Sequence, residues 1–287
     1  LVMSGNDNME HIIGEMAVMC PGAVQVVDLM AKDEYDLEDV VRFVRLDSNL
    51  TGKILQKVNS AAFGIMIPVD TVDRAVIFLG TRTVVNLALI TLNAHFFSQN
   101  MEGYFRPPGG FWDHELRTAL TSSEVARKSR LNVEPDLAFT AGLLHDIGKI
   151  ALYNYQTKYQ HNMLSRLYKQ KMSKSLEIER SCLGFDHCQV GKVLCQQWGL
   201  PHSLEACVEY HHYPSKAPKE FQSLAYIVHI GNMLAKMASL GAKTEDVQQD
   251  LDYGYESFYA FSFNEITNIM RNVENNFAQL KDGVAVF

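Results

Sequence analysis

Apolar residues recur along this chain with the spacing of one helix face, and this period constrains the fold more than any other feature. Such stripes run through residues 37–44, 50–58 and 72–79. Gly80 follows the third stripe directly, which is typical of a helix C-terminus. No stretch alternates between apolar and polar residues for long enough to require a sheet. The sequence therefore predicts an all-α fold, a bundle of many helices.

The other apolar segments also favour helices. The run from Val84 to Leu92 is nearly all apolar, so its composition alone allows a buried strand or a buried helix. Its length and its leucine and alanine content favour the helix. In the second half of the chain, helices are predicted near residues 113–129, 136–147, 150–170, 187–197, 202–212, 220–239 and 263–280.

Residues 106–110, Arg-Pro-Pro-Gly-Gly, are the clearest interruption of the helical pattern. Two prolines followed by two glycines cannot continue a helix. We therefore predict a boundary between an N-terminal helical part, residues 1–105, and a C-terminal helical subdomain, residues 106–287.

Charge and cysteine content narrow the class of partner and the compartment. A formal net charge of −7 argues against non-specific binding to nucleic acid or to an anionic membrane. No apolar run reaches the ~20 residues that cross a bilayer, and no signal-peptide pattern opens the sequence. The five cysteines are odd in number and lack CxxC spacing. We therefore expect a cytoplasmic protein with reduced thiols, no nucleic-acid partner and no membrane partner.

The adjacent pair His145 and Asp146 is the first candidate for chemistry. His145 continues the apolar helix face of residues 137–144, and Asp146 follows it directly. A carboxylate buried there requires an ion pair, hydrogen bonds or a bound metal. Gly148 is predicted to end or kink this helix, with Lys149 just beyond it. Taken alone, the pair also fits a histidine salt-bridged at a helix end.

Other imidazole and amide side chains lie on the apolar faces of predicted helices. They belong to His114, His187, His211, His212 and Asn232. Asp113 is a candidate N-cap before the first of them, and Asp186 with Gln189 predicts a capping box that starts the helix of the second. Taken singly, each is more often a hydrogen-bonded core residue than a ligand. Together they predict that several donors converge at one point near the His-Asp pair.

The order of these residues resembles the HD superfamily of metal-dependent phosphohydrolases. The matching residues are His114, His145, Asp146, Lys149, His187, His211 and His212. Their order and spacing are most similar to the HD-GYP phosphodiesterases, which cleave cyclic dinucleotides. The first half is similar to the HDOD domain, an HD-related output domain of bacterial signalling proteins. That likeness rests on residues 47–50 (DSNL), 58–64 (VNSAAFG) and 75–80 (AVIFLG).

The chain also departs from both groups that it resembles. HDOD domains generally share the fold of HD enzymes and have lost most metal-site residues, whereas this chain keeps most of them. The Gly-Tyr-Pro signature of HD-GYP proteins is missing, and only Tyr213 and Pro214 follow the double histidine. Asn232 replaces the final ligand aspartate, and Gly110 replaces a glutamate of three-metal sites. We therefore expect one or two ions.

The resemblance implies a role for each residue. Asp146 would bridge two cations, with His145, His187 and Asn232 around one ion and His114, His211 and His212 available to the other. In a reaction, Asp146 and Lys149 would be the catalytic residues, the lysine holding the scissile phosphate or the leaving oxygen. Because the donor set is rich in histidine and poor in oxygen, the expected ions are Fe, Mn, Ni, Co or Zn.

Three functions remain open at this point. The resemblance to HDOD proteins implies a signal-transduction output module that retains a metal site and contacts signalling proteins, with a regulatory role favoured over catalysis. The alternative is a metal-dependent phosphohydrolase or phosphodiesterase that acts on a nucleotide or cyclic dinucleotide. A third is a sensor that binds a phosphate-containing small molecule without reaction. The plainest alternative is a bundle filled by buried histidines without a metal.

Overall fold

The computed structural model describes residues 37–45, 48–59, 68–81, 84, 85, 88, 101, 110–159, 175–240, 251–255 and 261–282. Throughout these residues the regular secondary structure is helical and no strand occurs, which confirms the predicted all-α fold. None of the helices described here is long and apolar enough to cross a membrane. The chain divides into two compact units, Met19–Phe96 with Asn275–Phe287, and Phe97–Glu274 with Leu1–Val18.

The smaller unit contains three short helices that pack against one another. They are α1 (Leu37–Arg45), α2 (Ser48–Val58) and α3 (Val72–Leu79). The buried residues are those of the predicted stripes, including Val44, Ile54 and Val58. Gly80 ends α3 with φ of 80°, a conformation that favours glycine. Of the predicted helix at 84–92, the described residues 84, 85 and 88 are helical and buried.

Asn59 closes the turn that follows α2. Its side-chain amide donates to the carbonyl of Val69 over 2.8 Å, and the Val69 amide donates back to Asn59 Oδ1 over 2.7 Å. The Asn59 side chain therefore forms with the Val69 backbone the pair of hydrogen bonds that a neighbouring strand would form. This pair holds the chain in position just before α3. This contact gives a structural role to the asparagine of the VNSAAFG segment.

The larger unit is a helical bundle that runs from α4 to α11. Its helices are α4 (Gly110–Lys128), α5 (Pro135–Leu144), α6 (Ile147–Tyr159), α7 (Ser175–Leu183), α8 (His187–Gln197), α9 (His202–Tyr210), a 3₁₀ turn (Pro214–Lys216), α10 (Lys219–Leu240) and α11 (Phe263–Asp282), the last contributing its residues up to Glu274. Helix α4 packs against α5 and α10, and α8 packs against α6 and α9. Each predicted helix has a described counterpart, but residues 160–170 of the helix predicted at 150–170 lie outside the described part. Helix α7 is an additional one that the periodicity did not predict. The predicted boundary stays a prediction, because residues 102–109 lie outside the described part.

Two predicted helix ends need correction. Helix α4 begins at Gly110, so Asp113 lies in its first turn. Helix α5 ends at Leu144, and Gly148 lies in the first turn of α6 rather than at a C-terminus. The reason is close packing: a Cβ on Gly148 would collide with the carbonyl oxygen of His187 and lie 2.8 Å from the Gly191 amide nitrogen. Gly148 therefore lets α6 approach α8 at the site.

The predicted capping box of α8 is present. The Gln189 amide donates to Asp186 Oδ1 over 3.0 Å, and the Asp186 amide donates to Gln189 Oε1 over 3.0 Å. Arg180 also pairs with the Asp186 carboxylate, from Nε at 2.6 Å. These contacts fix His187 as the first residue of α8.

Candidate metal centre

The side chains predicted to meet around Asp146 do so. Its Oδ1 lies 3.2 Å from His187 Nε2 and 3.3 Å from His211 Nε2. Its Oδ2 lies 3.3 Å from His145 Nε2 and forms an ion pair with Lys149. The structure thus brings residues from the α5–α6 turn, α8 and the end of α9 to one carboxylate.

His114 and His212 extend this cluster at two ends. The ring of His114 lies 5.6 Å from that of His145, centroid to centroid. His212 Nε2 lies 3.2 Å from His187 Nε2, and its ring centroid is 4.4 Å from that of His211. All five predicted histidines therefore belong to one continuous group of imidazoles.

Asn232 is buried on α10, with 1 % of its surface exposed. Its Oδ1 has no hydrogen-bond partner among the described residues. Helix α10 packs against α4, which carries His114. The burial agrees with an inward-facing donor, and the role of Asn232 as a ligand stays a prediction.

The cluster is closed except at one corner. His114, His145, Asp146, His187 and His211 are fully buried. His212 is half-buried, and the next residue, Tyr213, is 42 % exposed. Among the residues described, access from solvent therefore lies beside His212.

Glu179 orients His187, although no sequence pattern predicted this contact. Its Oε2 accepts from the backbone amide of His187 over 2.8 Å and from Nδ1 of the same residue over 2.7 Å. With Nδ1 occupied, Nε2 is the nitrogen that faces Asp146. Glu179 lies on α7, the helix that the periodicity missed, so no pattern pointed to it.

Glu115 is the second carboxylate that sequence reasoning missed. It is fully buried beside His114, and its Oε2 lies 3.3 Å from Nδ1 of His145. Burial raises the pKa of Glu115 to about 7, against the opposing effect of His145. A charged residue within a predicted buried face next to His114 was the available signal.

Backbone carbonyls orient the other rings. His145 Nδ1 lies 2.8 Å from the Gly142 carbonyl, and His211 Nδ1 lies 2.9 Å from that of Val208. In both rings Nε2 is thereby directed to Asp146. His229 supports this arrangement, because its Nδ1 donates to the His211 carbonyl over 2.7 Å and its Nε2 accepts from the Asp252 amide over 2.9 Å.

His145 and Asp146 are both charged at neutral pH, because each stabilises the charge of the other. Burial disfavours the charged imidazole of His145, but Asp146 and Glu115 outweigh it and raise its pKa to about 9. Burial would raise the pKa of Asp146, and His145 with Lys149 outweighs it, so that pKa lies well below the ordinary range. The carboxylate is therefore ionised and faces cations.

Three of the histidines remain neutral. Burial lowers the pKa of His211 to about 3 and holds those of His114 and His212 well below the ordinary value. A neutral imidazole has one nitrogen lone pair available, which is the form that binds metals. These three histidines are thus prepared as ligands at neutral pH, whereas His145 would have to release a proton to bind a metal.

The donor set fits a divalent transition metal. Among the described residues, His145 Nε2, Asp146 Oδ1 and His211 Nε2 are buried atoms that have no hydrogen-bond partner, although they lie near one another. Two groups have ligand atoms within 4.8 Å of one another, His187–Cys188–His211–His212 and His114–Glu115–His145–Asp146. Imidazole nitrogens with carboxylate or thiol suit Fe, Mn, Co, Ni or Zn.

The fold and this site define an HD-like helical domain. A family model for the HDOD domain matches residues 17–214, so the chain belongs to the HDOD domain family. The predicted likeness to that family is therefore confirmed.

Comparisons with individual proteins agree with this fold. A protein of *Treponema pallidum* (strain Nichols) without an assigned function is 24 % identical over 221 residues, and the match covers 76 % of this chain but only 42 % of that protein. An HDOD domain protein of unknown function from *Geobacter sulfurreducens* has a TM-score of 0.73 at 17 % identity, over 99 % of each chain. A protein from *Shewanella amazonensis*, provisionally named a phosphohydrolase, has a TM-score of 0.72 at 19 % identity, over 97 % of each chain.

Proposed function

We propose that this HDOD protein is a metal-binding signalling module in which one or two divalent transition-metal ions occupy the cluster around Asp146. The observation that carries the proposal is a cluster of five histidines, three of which (His145, His187 and His211) contact one ionised, fully buried carboxylate. A bundle centre without an ion would leave those buried nitrogens and oxygens with poor compensation.

The chain offers two donor groups that share this carboxylate. His145, His187 and Asn232 with Asp146 would hold one ion, and His114, His211 and His212 are available to a second. The neutral imidazoles supply lone pairs, while Glu179 and the Gly142 and Val208 carbonyls hold the rings in place.

A regulatory role is favoured over turnover by the closure of the site. Only His212 among the proposed ligands has substantial solvent exposure in the described residues. That opening suits the entry of an ion better than the seating of a large phosphodiester. An ion held there would join the α5–α6 turn, α8 and the end of α9, so metal occupancy would set the rigidity of the helices that surround it.

The partners and location belong to the same proposal. The HDOD resemblance implies bacterial signalling proteins as partners, and the lysine beside the site allows a phosphate-containing small molecule. No disulfide joins the four described cysteines, which supports the proposed reducing, cytoplasmic compartment.

Elemental analysis of the purified protein tests the proposal. About one or two equivalents of a transition metal should be retained after gel filtration and lost in Asp146→Ala. His202→Ala is the matched control, because His202 is 87 % exposed and outside the cluster. A wild-type protein that retains no metal after anaerobic reconstitution with Fe(II), Mn(II), Co(II), Ni(II) and Zn(II) would exclude the function.

Phosphohydrolysis is the second candidate, and the position of Lys149 favours it. Its ammonium is buried against Asp146, and although burial opposes the charge, Asp146 raises the pKa of Lys149. The bound ions would supply Lewis acidity toward a phosphoryl group. The lysine would bind a phosphate oxygen and stabilise the charge on a leaving oxygen.

A panel of phosphomonoesters and phosphodiesters, cyclic dinucleotides included, distinguishes the two candidates. Hydrolysis by the metal-loaded protein that is lost in Lys149→Met, with metal content unchanged, would establish the enzyme. Lys192→Met is the control, since Lys192 pairs with Glu209 on α9 at 2.8 Å outside the cluster. The signalling proposal expects no hydrolysis in either variant or in the wild type.

A further inference from the structure

Cys188 lies inside the histidine cluster, although the sequence gives no reason to place it there. It is the second residue of α8 and is buried. Its Sγ and one ring nitrogen each of His187, His211 and His212 all lie within 4.8 Å of one another. Three nitrogens and one sulfur are therefore gathered at one corner of the site.

His211 gives independent support for a ligand at this corner. Its ring is fully buried, and its Nε2 has no hydrogen-bond partner among the residues that the structure describes. The Nε2 atoms of His187 and His212 face each other at 3.2 Å on the same side. Nitrogens that face one another without enough protons between them are well placed to share a cation.

The Cys188 thiol could supply negative charge that the imidazole ligands at this corner do not supply. Three imidazole ligands, which are neutral once an ion is bound, leave both positive charges of a divalent ion uncompensated, and the amide of Asn232 brings no charge. A thiolate supplies one negative charge and is a stronger ligand than an amide for Zn and its neighbours. Without the thiolate, the negative charge next to His187 and His211 would come from Asp146.

We propose that the Cys188 thiolate is a metal ligand, which completes an N₃S set with His187, His211 and His212 for a thiophilic divalent ion. The inference rests on the proposed metal binding, but it groups His187 with His211 and His212 around one ion and adds the sulfur to that set. On binding, the S–H bond breaks, the proton leaves to solvent and a sulfur–metal bond forms, with no change of oxidation state. The site then prefers Zn(II), Co(II) or Fe(II) to Mn(II).

Titration of the full-length apo-protein with Co(II) tests this ligand. The wild type should develop a sulfur-to-cobalt charge-transfer band in the near ultraviolet, and Cys188→Ser should lose it. Cys195→Ser is the matched control, since Cys195 is buried on the same helix seven residues on, about 10 Å along its axis. This control should keep the band at full intensity.

X-ray absorption of the zinc-loaded wild type tests for the same sulfur ligand, and it does not depend on whether Cys188→Ser folds. One sulfur scatterer at about 2.3 Å is expected beside the nitrogen shell. Cobalt or zinc bound in full stoichiometry without a sulfur signal would overturn the thiolate ligand and leave metal binding intact. A wild-type protein that binds neither ion would overturn both proposals.

Discussion

His187 Nε2 and His212 Nε2 lie 3.2 Å apart, and among the residues that the structure describes, the cluster of which both rings are part is open to solvent beside His212. Two facing nitrogens need either a proton or a cation between them. Glu179 fixes the first ring by its opposite nitrogen, so this ring cannot simply flip away without breaking a buried contact. The predictions below follow from this arrangement and from the carboxylate it surrounds.

Glu179→Gln should weaken metal binding without removing a proposed ligand. The amide keeps the size of the side chain but replaces the charged acceptor that orients His187. Loss of such an outer contact lowers metal affinity roughly 10- to 100-fold. Competition with a chromophoric chelator measures it. Glu177→Gln, an exposed change on the same helix, should have no effect, and equal affinities in both variants would contradict the role of Glu179.

Asp146→Asn should destabilise even the metal-free protein. The change leaves the shape of the side chain but removes the counter-charge of His145 and Lys149, both buried. Breaking a buried ion pair from one side typically lowers the free energy of unfolding by about 3 kcal/mol or more. Urea denaturation in the presence of chelator measures it. Asp39→Asn, an exposed change on α1, should alter that free energy little.

Gly148→Ala should separate α6 from α8. Its methyl group would strike the carbonyl oxygen of His187, a backbone atom that cannot rotate away. We expect a loss of about 3 kcal/mol in the free energy of unfolding, together with weaker metal binding. Thermal and urea unfolding measure the first effect.

Gly52→Ala is the matched control for that change. Gly52 also lies within a helix, α2, but a Cβ there has no atom within 4 Å. Alanine should therefore be neutral or stabilise by about 0.5–1 kcal/mol. Similar losses in both variants would show that helix propensity, rather than contact with His187, decides the outcome at Gly148.

His229 should make the protein sensitive to acid. Burial lowers its pKa from 6.5 to about 4 and outweighs the hydrogen bond to the His211 carbonyl, which favours the charged ring. The unfolded chain binds a proton at this residue below about pH 6.5, whereas the folded chain binds it only near pH 4. The free energy of unfolding therefore decreases as the pH falls from 6.5 toward 4. The loss from this group between pH 6.5 and pH 5 is about 2 kcal/mol.

Urea denaturation at these two pH values measures that loss. His229→Gln does not titrate, so its stability should fall by about 2 kcal/mol less than that of the wild type over the same interval. His202→Gln, at an exposed histidine, should follow the wild type. Parallel curves for wild type and His229→Gln would refute the assignment.

The sequence was sufficient for what depends on local pattern. Helical spacing predicted the all-α fold and placed Asn232 on a buried face, and the spacing of Asp186 and Gln189 predicted the cap that positions His187. These features depend on residues within a few positions of each other, where the geometry of a helix fixes relative direction.

The unpredicted features all depend on contacts between distant segments. In the sequence, Gly148 resembles a glycine that ends a helix. In the structure, it lies against the backbone carbonyl of His187 on another helix, where a larger residue would collide. Glu179 lies on a helix with weak apolar periodicity. Cys188 has no cysteine partner at metal-site spacing, and two of the histidines near it in space, His211 and His212, lie more than twenty residues away in the sequence. No single-helix pattern encodes which side chains meet across helices.

Anomalous diffraction from crystals of the zinc-loaded protein tests directly whether an ion binds in the histidine cluster around Asp146. A strong peak at the zinc edge is expected within bonding distance of Asp146 and at least two of the clustered histidines. Zinc bound in stoichiometric amount but found only at surface sites, with the imidazoles around Asp146 contacting one another, would contradict it.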